Sequence, residues 1–325
     1  MRRLWYCVAH PLTERYVEEV CFMSKNTPKN HHYVPQHFLK AWSSSQSKIH
    51  SYRINPYSKR IEKKPAAIKR SASSENLYKL EFPDGSFEIE TLIVTPELDD
   101  VGSKLLQKVR ESSISWLSRD DLYQFAMYLV CLEARHPDII AAMDISGELP
   151  ERKSEFYNEN MDNQEAVDQS IDYLSSSPSI GVLALGAFIK NEKLGFIDTP
   201  FTHAIMNAHI KEYTFDEPKL LCSNYPISRW GNFVDSIFMV VSISPYKALI
   251  FSSNSDVKVF DELDEDTLSE VINLYTVGKA EFAYAYEPVF DTFLQTHLGW
   301  AKLLNNIDAQ KQYIGDFVIS RLSKR

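Results

Sequence analysis

Apolar residues recur at a helical spacing in one long segment of the chain. Ser118 and Asp121 have the spacing of a capping box, in which side chains satisfy the amides at a helix start. The apolar residues that follow occupy positions i, i+3, i+4, i+7 and i+8, and they are Leu122, Phe125, Ala126, Leu129 and Val130. Pro137 bends or ends this run, because proline lacks the amide hydrogen that a helix interior needs. The pattern therefore predicts a long amphipathic helix before Pro137.

Shorter patterns predict further helices and a small amount of β-structure. Pro35 fits only the first turn of a helix, so a short helix is predicted to start near it. Residues 49–54 alternate in polarity, Asn55-Pro56 is a turn and residues 60–64 return, which indicates a hairpin. Residues 218–222, 237–243 and 248–251 are predicted strands, and residues 267–283 and 289–304 are predicted helices. Together these elements predict an α+β fold, predominantly helical with a small mixed or antiparallel β-sheet.

The composition is that of a globular protein with an acidic balance. The 325 residues are 44% apolar and 24% charged, and the formal charge is −9 at pH 7. This excludes a wholly disordered chain and makes an overall basic field toward nucleic acid unexpected. Residues 23–325 are predicted to form a single domain, in which the polar segment 144–179 is a candidate for a mobile insert. The alternative that translation starts at Met23, which would make residues 1–22 an extension that the protein does not contain, stays open.

The sequence lacks the motifs of a zinc site, of the two standard nucleotide-binding loops and of a membrane-spanning segment. The four cysteines, Cys7, Cys21, Cys131 and Cys222, are far apart, which favours reduced thiols in a cytoplasmic protein over a zinc site. The glycines form neither G-x-G-x-x-G nor a phosphate-binding loop, so nucleotide binding through either loop is excluded. The apolar stretches are too short or too interrupted to cross a bilayer, so no membrane association is expected.

The densest candidate chemistry is the run from Asn30 to His37, which contains His31 and His32 side by side. Adjacent histidines at a helix start can direct one imidazole to a substrate or metal and the other to a backbone carbonyl, and the first-turn amides can add an anion site. This arrangement suits phosphate chemistry. The alternative is that these side chains only pack and cap. A metal-finger nuclease of the HNH type fits poorly, because its further ligands would have to be His50 and Asn55.

Two other motifs carry polar side chains next to apolar elements. Glu133 and His136 are i, i+3 neighbours near the apolar side of the long helix, with Arg135 expected roughly opposite. Glu-x-x-His can offer two ligands to one metal, but a helix end that frays into solvent before Pro137 is favoured, because the sequence has no second such pair. Ser223-Asn224 follows an apolar strand, where it could either reach a ligand or form an Asx-type turn.

These motifs, in this order, resemble the domain of unknown function family 4238, a mostly bacterial group. The resemblance rests on His31 to Gln36 with Phe38-Leu39 after it, on Arg135-x-Pro137 and on Ser223-Asn224-x-Pro226, and it spans roughly residues 29–290. Family members usually read Ser-Asp-Asn-Pro at the third motif, whereas Asn224 replaces the acid here. If that acid is a metal ligand or general base, the resemblance implies a weakened or lost function. The family label implies no reaction.

We expect the motifs to form one cavity that acts on phosphodiester bonds, as a nuclease or nucleotide-processing hydrolase, with a role in host defence as one setting. The expected catalytic residues are His31, His32, Arg135 and Asn224, the expected substrate-binding residues are Tyr33, Gln36 and Ser223, and the candidate metal ligands are Glu133 and His136. Histidine would transfer protons and arginine would offset charge on phosphate, with a divalent metal as a candidate cofactor. The alternative is a non-catalytic module that binds a phosphate-bearing ligand with a degenerate site. The expected partner is nucleic acid or a nucleotide, with no membrane, and the oligomeric state stays open.

Overall fold

The structure is a computed structural model. It describes residues 29–43, 47–82, 85–88, 99–143, 200–230, 237–304 and 306–323. The predictions for residues 1–22 and for the segment 144–179 lie outside these described residues.

The described residues form helices joined to short antiparallel strands. The helices are α1 (Gln36–Leu39), α2 (Asp100–Glu111), α3 (Arg119–Ala134), α4 (Pro137–Met143), α5 (Pro200–Met206), α6 (Glu265–Val277), α7 (Asp291–His297) and α8 (Ile307–Leu322). The strands are β1 (Asn30–His32), β2 (Lys48–Ile54), β3 (Ile61–Ala67), β4 (Ser73–Glu75), β5 (Lys79–Phe82), β6 (Gly85–Glu88), β7 (His209–Thr214), β8 (Cys222–Ser223), β9 (Ser228–Trp230), β10 (Phe238–Ser244), β11 (Lys247–Ser252) and β12 (Phe282–Ala285). The α+β prediction is confirmed. Within the described ranges, no helix combines the length and the apolar character needed to traverse a bilayer.

The chain divides into two compact units. Unit 1 comprises Met1–His31, Ser74–Asp100 and Ala134–Asp198, and unit 2 comprises His32–Ser73, Val101–Glu133 and Thr199–Arg325. In unit 1, β5 and β6 form an antiparallel hairpin in which Leu80 lies opposite Phe87.

Unit 2 contains a four-stranded antiparallel sheet in the order β7-β11-β10-β9. Strands β10 and β11 are almost continuously apolar because both of their faces are covered, and Val240 lies opposite Ile250 in their register. The buried residues Val271 and Ile272 of α6 belong to the same core as these strands.

A second four-stranded sheet of unit 2 has the order β3-β2-β12-β8. Strand β12 lies between β2 and β8, so it joins the N-terminal hairpin to the segment that carries Asn224. Tyr52 of β2 and Ala283 of β12 are buried in one core cluster with Leu221 and Val277. This sheet therefore places the Ser223-Asn224 motif and the β2–β3 hairpin in one sheet of unit 2.

Several predicted elements are confirmed. Helix α3 ends at Ala134 and a new helix begins at Pro137, while the Ser118 Oγ accepts the Asp121 amide hydrogen at 3.1 Å. The predicted hairpin is formed by β2 and β3. The predicted strands 237–243 and 248–251 correspond to β10 and β11. The short helix near Pro35 is α1.

Three predicted elements are shorter than expected or partly different. The helix predicted over residues 267–283 ends at Val277. Its last two predicted residues belong to β12, a continuously apolar strand that pairs with β2 on one side and β8 on the other. The helix predicted over 289–304 stops at His297, because Gly299 adopts a left-handed φ of 74°. In the strand predicted over 218–222 only Cys222 pairs, since the Leu221 amide donates instead to a side-chain oxygen of Asn273.

Candidate functional site

His31 is fully buried in unit 1 and is fixed by Tyr78. Its Nδ1 accepts the backbone amide hydrogen of Tyr78 at 2.8 Å, and the two rings stack with centroids 5.4 Å apart and planes 3° apart. Because the amide supplies the hydrogen at Nδ1, the neutral imidazole carries its own hydrogen on Nε2. His31 is therefore a hydrogen-bond donor at Nε2, which makes it poorly suited to accepting a proton there.

Arg135 is also buried in unit 1, with 1% of its surface exposed. Its Nη1 donates to Asp99 Oδ1 at 2.9 Å, and its backbone carbonyl accepts the Tyr78 hydroxyl at 3.1 Å. Arg135 is buried, and not on the side opposite the core as expected, because α3 ends at Ala134. Tyr78 thus contacts both His31 and Arg135, which brings these two predicted residues together within unit 1.

His32 differs from His31 in its exposure and in which of its ring nitrogens makes a hydrogen bond to the backbone. It is partly exposed, and its Nε2 lies 3.2 Å from the backbone carbonyl oxygen of Lys69, within unit 2. A carbonyl can only accept, so Nε2 carries the hydrogen and Nδ1 is the nitrogen that can take up a proton. One ring nitrogen held by a backbone carbonyl is a common way of orienting a proton-transferring histidine.

Asn224 is 2% exposed, and it forms hydrogen bonds with the backbone at the point where the chain enters β12. Its side-chain Oδ1 accepts the backbone amide hydrogens of Glu281 and Phe282, both at 3.0 Å, and its backbone amide donates to the Phe282 carbonyl at 3.0 Å. The carboxamide oxygen is therefore used to hold β12 against the chain that follows β8. This geometry matches the turn-forming alternative, and whether Asn224 also has a chemical role stays a prediction.

The predicted substrate-binding residues have different surroundings. The Ser223 side chain is buried and closes a local turn, with Oγ donating to the Tyr225 carbonyl at 2.7 Å and accepting the Tyr225 amide hydrogen at 3.1 Å. Tyr33 is half-buried and its amide donates to the Ala72 carbonyl, whereas Gln36 is exposed at the start of α1. Helix α1 is a single turn, which is too short for the dipole expected of an anion site. Of these three residues, Gln36 is the one most accessible to a ligand.

The candidate metal ligands Glu133 and His136 are used in other contacts. Both carboxylate oxygens of Glu133 accept from Arg229 Nε, at 2.9 and 3.1 Å. Burial raises the pKa of Glu133, and Arg229 lowers it in part. His136 Nδ1 accepts the Asp138 amide hydrogen at 3.2 Å and so caps the start of α4. Among the described residues, no group of three His, Cys, Asp or Glu side chains could hold a metal ion.

The comparisons with known proteins identify a family and nothing narrower. A family model described as a protein of unknown function (DUF4238) matches residues 30–287, which is most of the chain and includes every predicted site residue. The chain belongs to the DUF4238 family. No curated protein and no solved structure matches it. The predicted family resemblance is therefore confirmed. The description of the DUF4238 family names no reaction.

The DUF4238 region also contains a charged residue that the sequence interpretation missed. Arg110 donates from three nitrogens to backbone carbonyls, namely those of Ile243, His37 and Phe38, and its guanidinium lies over the Phe38 ring. Burial lowers the pKa of Arg110 to about 10, so the group stays charged at neutral pH. It joins the histidine motif to strand β10 in unit 2. The sequence feature that could have identified Arg110 is its position four residues after Leu106, on the apolar side of α2.

Proposed function

We propose that this DUF4238 protein acts on phosphodiester bonds, and that His32 is the residue that transfers the proton. The observation that carries this proposal is the contact between His32 Nε2 and the Lys69 carbonyl, which orients the ring and places the hydrogen of the neutral imidazole on Nε2. His32 is also the only one of the four predicted catalytic side chains that is not buried, since His31, Arg135 and Asn224 all are. The site is thus assigned to the surface of unit 2 around His32.

The neighbouring residues suit a phosphate group. Lys69 and Arg70 are exposed and belong to the same short helical turn, Ile68–Arg70, whose carbonyl holds His32. In the proposed reaction the oxygen of an attacking water or ribose hydroxyl bonds to phosphorus as its proton passes to His32 Nδ1. The bond from phosphorus to the leaving oxygen breaks, and a solvent water protonates that oxygen. Cationic side chains beside the phosphate offset the negative charge that develops on its oxygens.

The test is a substrate screen with a matched pair of histidine variants. Labelled single-stranded RNA, single-stranded DNA, duplex DNA and nucleoside triphosphates are incubated with the full chain, with Mg²⁺ and separately with EDTA. His32→Gln keeps a donor for the Lys69 carbonyl but removes the proton acceptor, and a loss of about 100-fold or more is expected. His209→Gln, at an exposed position of β7 in the same unit, is the control and should retain the wild-type rate. An unchanged rate in folded His32→Gln would contradict the assignment.

A non-catalytic module that binds a phosphate-bearing ligand is the second candidate. The burial of His31, Arg135 and Asn224 at 0%, 1% and 2% exposure favours it, because these polar side chains make internal contacts. Under this alternative, ligand binds to the surface of unit 2 and is released unchanged. Saturable binding of an oligonucleotide with no turnover of any phosphodiester in the screen would favour this candidate over the hydrolase.

A further inference from the structure

We propose that the hairpin formed by β2 and β3 binds single-stranded nucleic acid, and we call residues 47–72 the basic hairpin. The assignment of this ligand as a substrate rests on the function proposed above, because His32 contacts the carbonyl of Lys69 within the same region. The binding itself is argued from charge, exposure and shape.

The charge of the basic hairpin is opposite to that of the whole protein. Its cationic residues are Lys48, Arg53, Lys59, Arg60, Lys63, Lys64, Lys69 and Arg70, and its only carboxylate is Glu62, a formal charge of +7. The whole chain has a formal charge of −9, so the remainder is strongly acidic. A polyanion is repelled by the average surface and attracted to this region, which localises its binding.

Most of these cations are exposed and are not used inside the structure. Arg53 pairs with Glu62 at 2.9 Å, and Lys63 pairs with Asp291 at 2.7 Å. The other six, Lys48, Lys59, Arg60, Lys64, Lys69 and Arg70, are exposed, and none forms an ion pair with the described residues. Their ammonium and guanidinium groups, at the hairpin tip, on β2 and β3 and in the helical turn after β3, are therefore available to phosphate oxygens.

The basic hairpin also has the shape of an extended binding strip. Strand β3 is at the edge of its sheet, with Pro65 near its centre, so no further strand of this sheet covers it. At a rise of about 3.3 Å per residue, the cations between Arg60 and Lys69 extend along roughly 25 Å. Charged residues on an edge strand also prevent association between sheet edges, which accounts for Lys63 and Lys64. It does not account for Lys69 and Arg70, which lie in the helical turn after the strand.

An exposed aromatic ring favours unpaired bases over a duplex. Tyr57, at the tip of the hairpin, is 92% exposed, and the tip is held rigid because Asn55 Oδ1 accepts the amide hydrogens of Tyr57 and Ser58. An exposed ring beside cations is the arrangement on which unpaired bases stack. A surface depression of about 360 Å³ lies near the tip and is lined by Arg53 and Pro56 on one side and by Glu281 and Phe282 on the other.

The test measures binding of a fluorescein-labelled single-stranded oligonucleotide by anisotropy, in EDTA and over a series of salt concentrations. The triple variant Arg60→Gln, Lys64→Gln, Lys69→Gln should bind at least about tenfold more weakly, and its salt dependence should have a slope smaller by about 2. The control is Lys104→Gln, Lys258→Gln, Lys311→Gln, which removes the same charge from exposed positions elsewhere in unit 2 and should bind as the wild type does. Tyr57→Ser should weaken single-strand binding about fivefold or more.

Three results would overturn the proposal. They are an equal loss of affinity in both triple variants, tighter binding of duplex with no effect of Tyr57→Ser, and binding of phosphatidylserine vesicles with no binding of the oligonucleotide. The His32→Gln variant separates this proposal from the hydrolase. It should bind the oligonucleotide as the wild type does but cleave it about 100-fold more slowly. Binding by the wild type with no cleavage would contradict the proposed reaction and leave the ligand assignment supported.

Discussion

Replacing Asn224 shows whether the third family motif works by structure or by chemistry. Its side-chain oxygen accepts two amide hydrogens at 3.0 Å, from Glu281 and Phe282, where the chain enters β12. In Asn224→Ala both donors lose their acceptor, whereas in Asn224→Asp a carboxylate oxygen of the same size can accept both. We therefore expect the two variants to differ strongly in stability.

The magnitude follows from the two lost hydrogen bonds. An unsatisfied buried donor costs about 1–3 kcal/mol, and these two donors are partly buried, so Asn224→Ala should lower the free energy of unfolding by about 2–4 kcal/mol. In Asn224→Asp the stronger charge-assisted bonds offset the cost of burying a carboxylate, and the change should stay within about 1 kcal/mol. If this position works by structure alone, Asn224→Asp should bind divalent metal no more tightly than the wild type does.

Urea denaturation followed by circular dichroism measures both stabilities, and calorimetric titration with Mg²⁺ and Mn²⁺ measures metal binding. The reasoning is refuted if Asn224→Ala is as stable as the wild type, since the amide contacts would then contribute nothing. A divalent metal that binds Asn224→Asp but not the wild type would restore the chemical interpretation of this position.

Three further outcomes are expected. Gly102→Ala should lower the melting temperature, because an added Cβ would lie 2.0 Å from a ring carbon of Tyr128, and Tyr128→Ala should relieve this effect in the double variant. Arg110→Gln should destabilise the chain by about 2–4 kcal/mol in urea denaturation, since three backbone carbonyls lose charged donors, and a wild-type midpoint would contradict this role. Burial lowers the pKa of His297 from 6.5 to about 4, so the unfolded chain takes up the proton first, and stability should fall as pH falls from 6.5 to 4. His297→Phe should lose less stability over this range, and identical pH profiles would exclude the effect.

The sequence allowed the regular elements to be predicted where pattern and turn chemistry agree. Alternation on both sides of Asn55-Pro56 predicted the hairpin, and continuous apolar runs predicted β10 and β11. The prediction failed where one residue changed the local geometry, as at Gly299, or where tertiary pairing converted the predicted end of a helix into β12. Such conversions depend on strands distant in sequence, which periodicity within one segment does not include.

The candidate site was harder to predict than the fold. Residue type and motif order singled out His31 and His32 together, but only the contacts show that different ring nitrogens are held in the two. Asn224 could be assigned equally to a turn or to a ligand, because the amides that it binds lie more than fifty residues away. The net charge concealed the basic hairpin, since an average over the chain hides a local excess of cations.

The most direct test of the account is the single-turnover cleavage of a labelled single-stranded RNA at saturating protein concentration, where differences in binding no longer affect the rate. Folded His32→Gln should cleave about 100-fold more slowly than the wild type while binding the RNA equally well, and His209→Gln should match the wild type. Cleavage by His32→Gln at the wild-type rate, or no cleavage by the wild type, would contradict the claim that His32 transfers a proton at a phosphodiester.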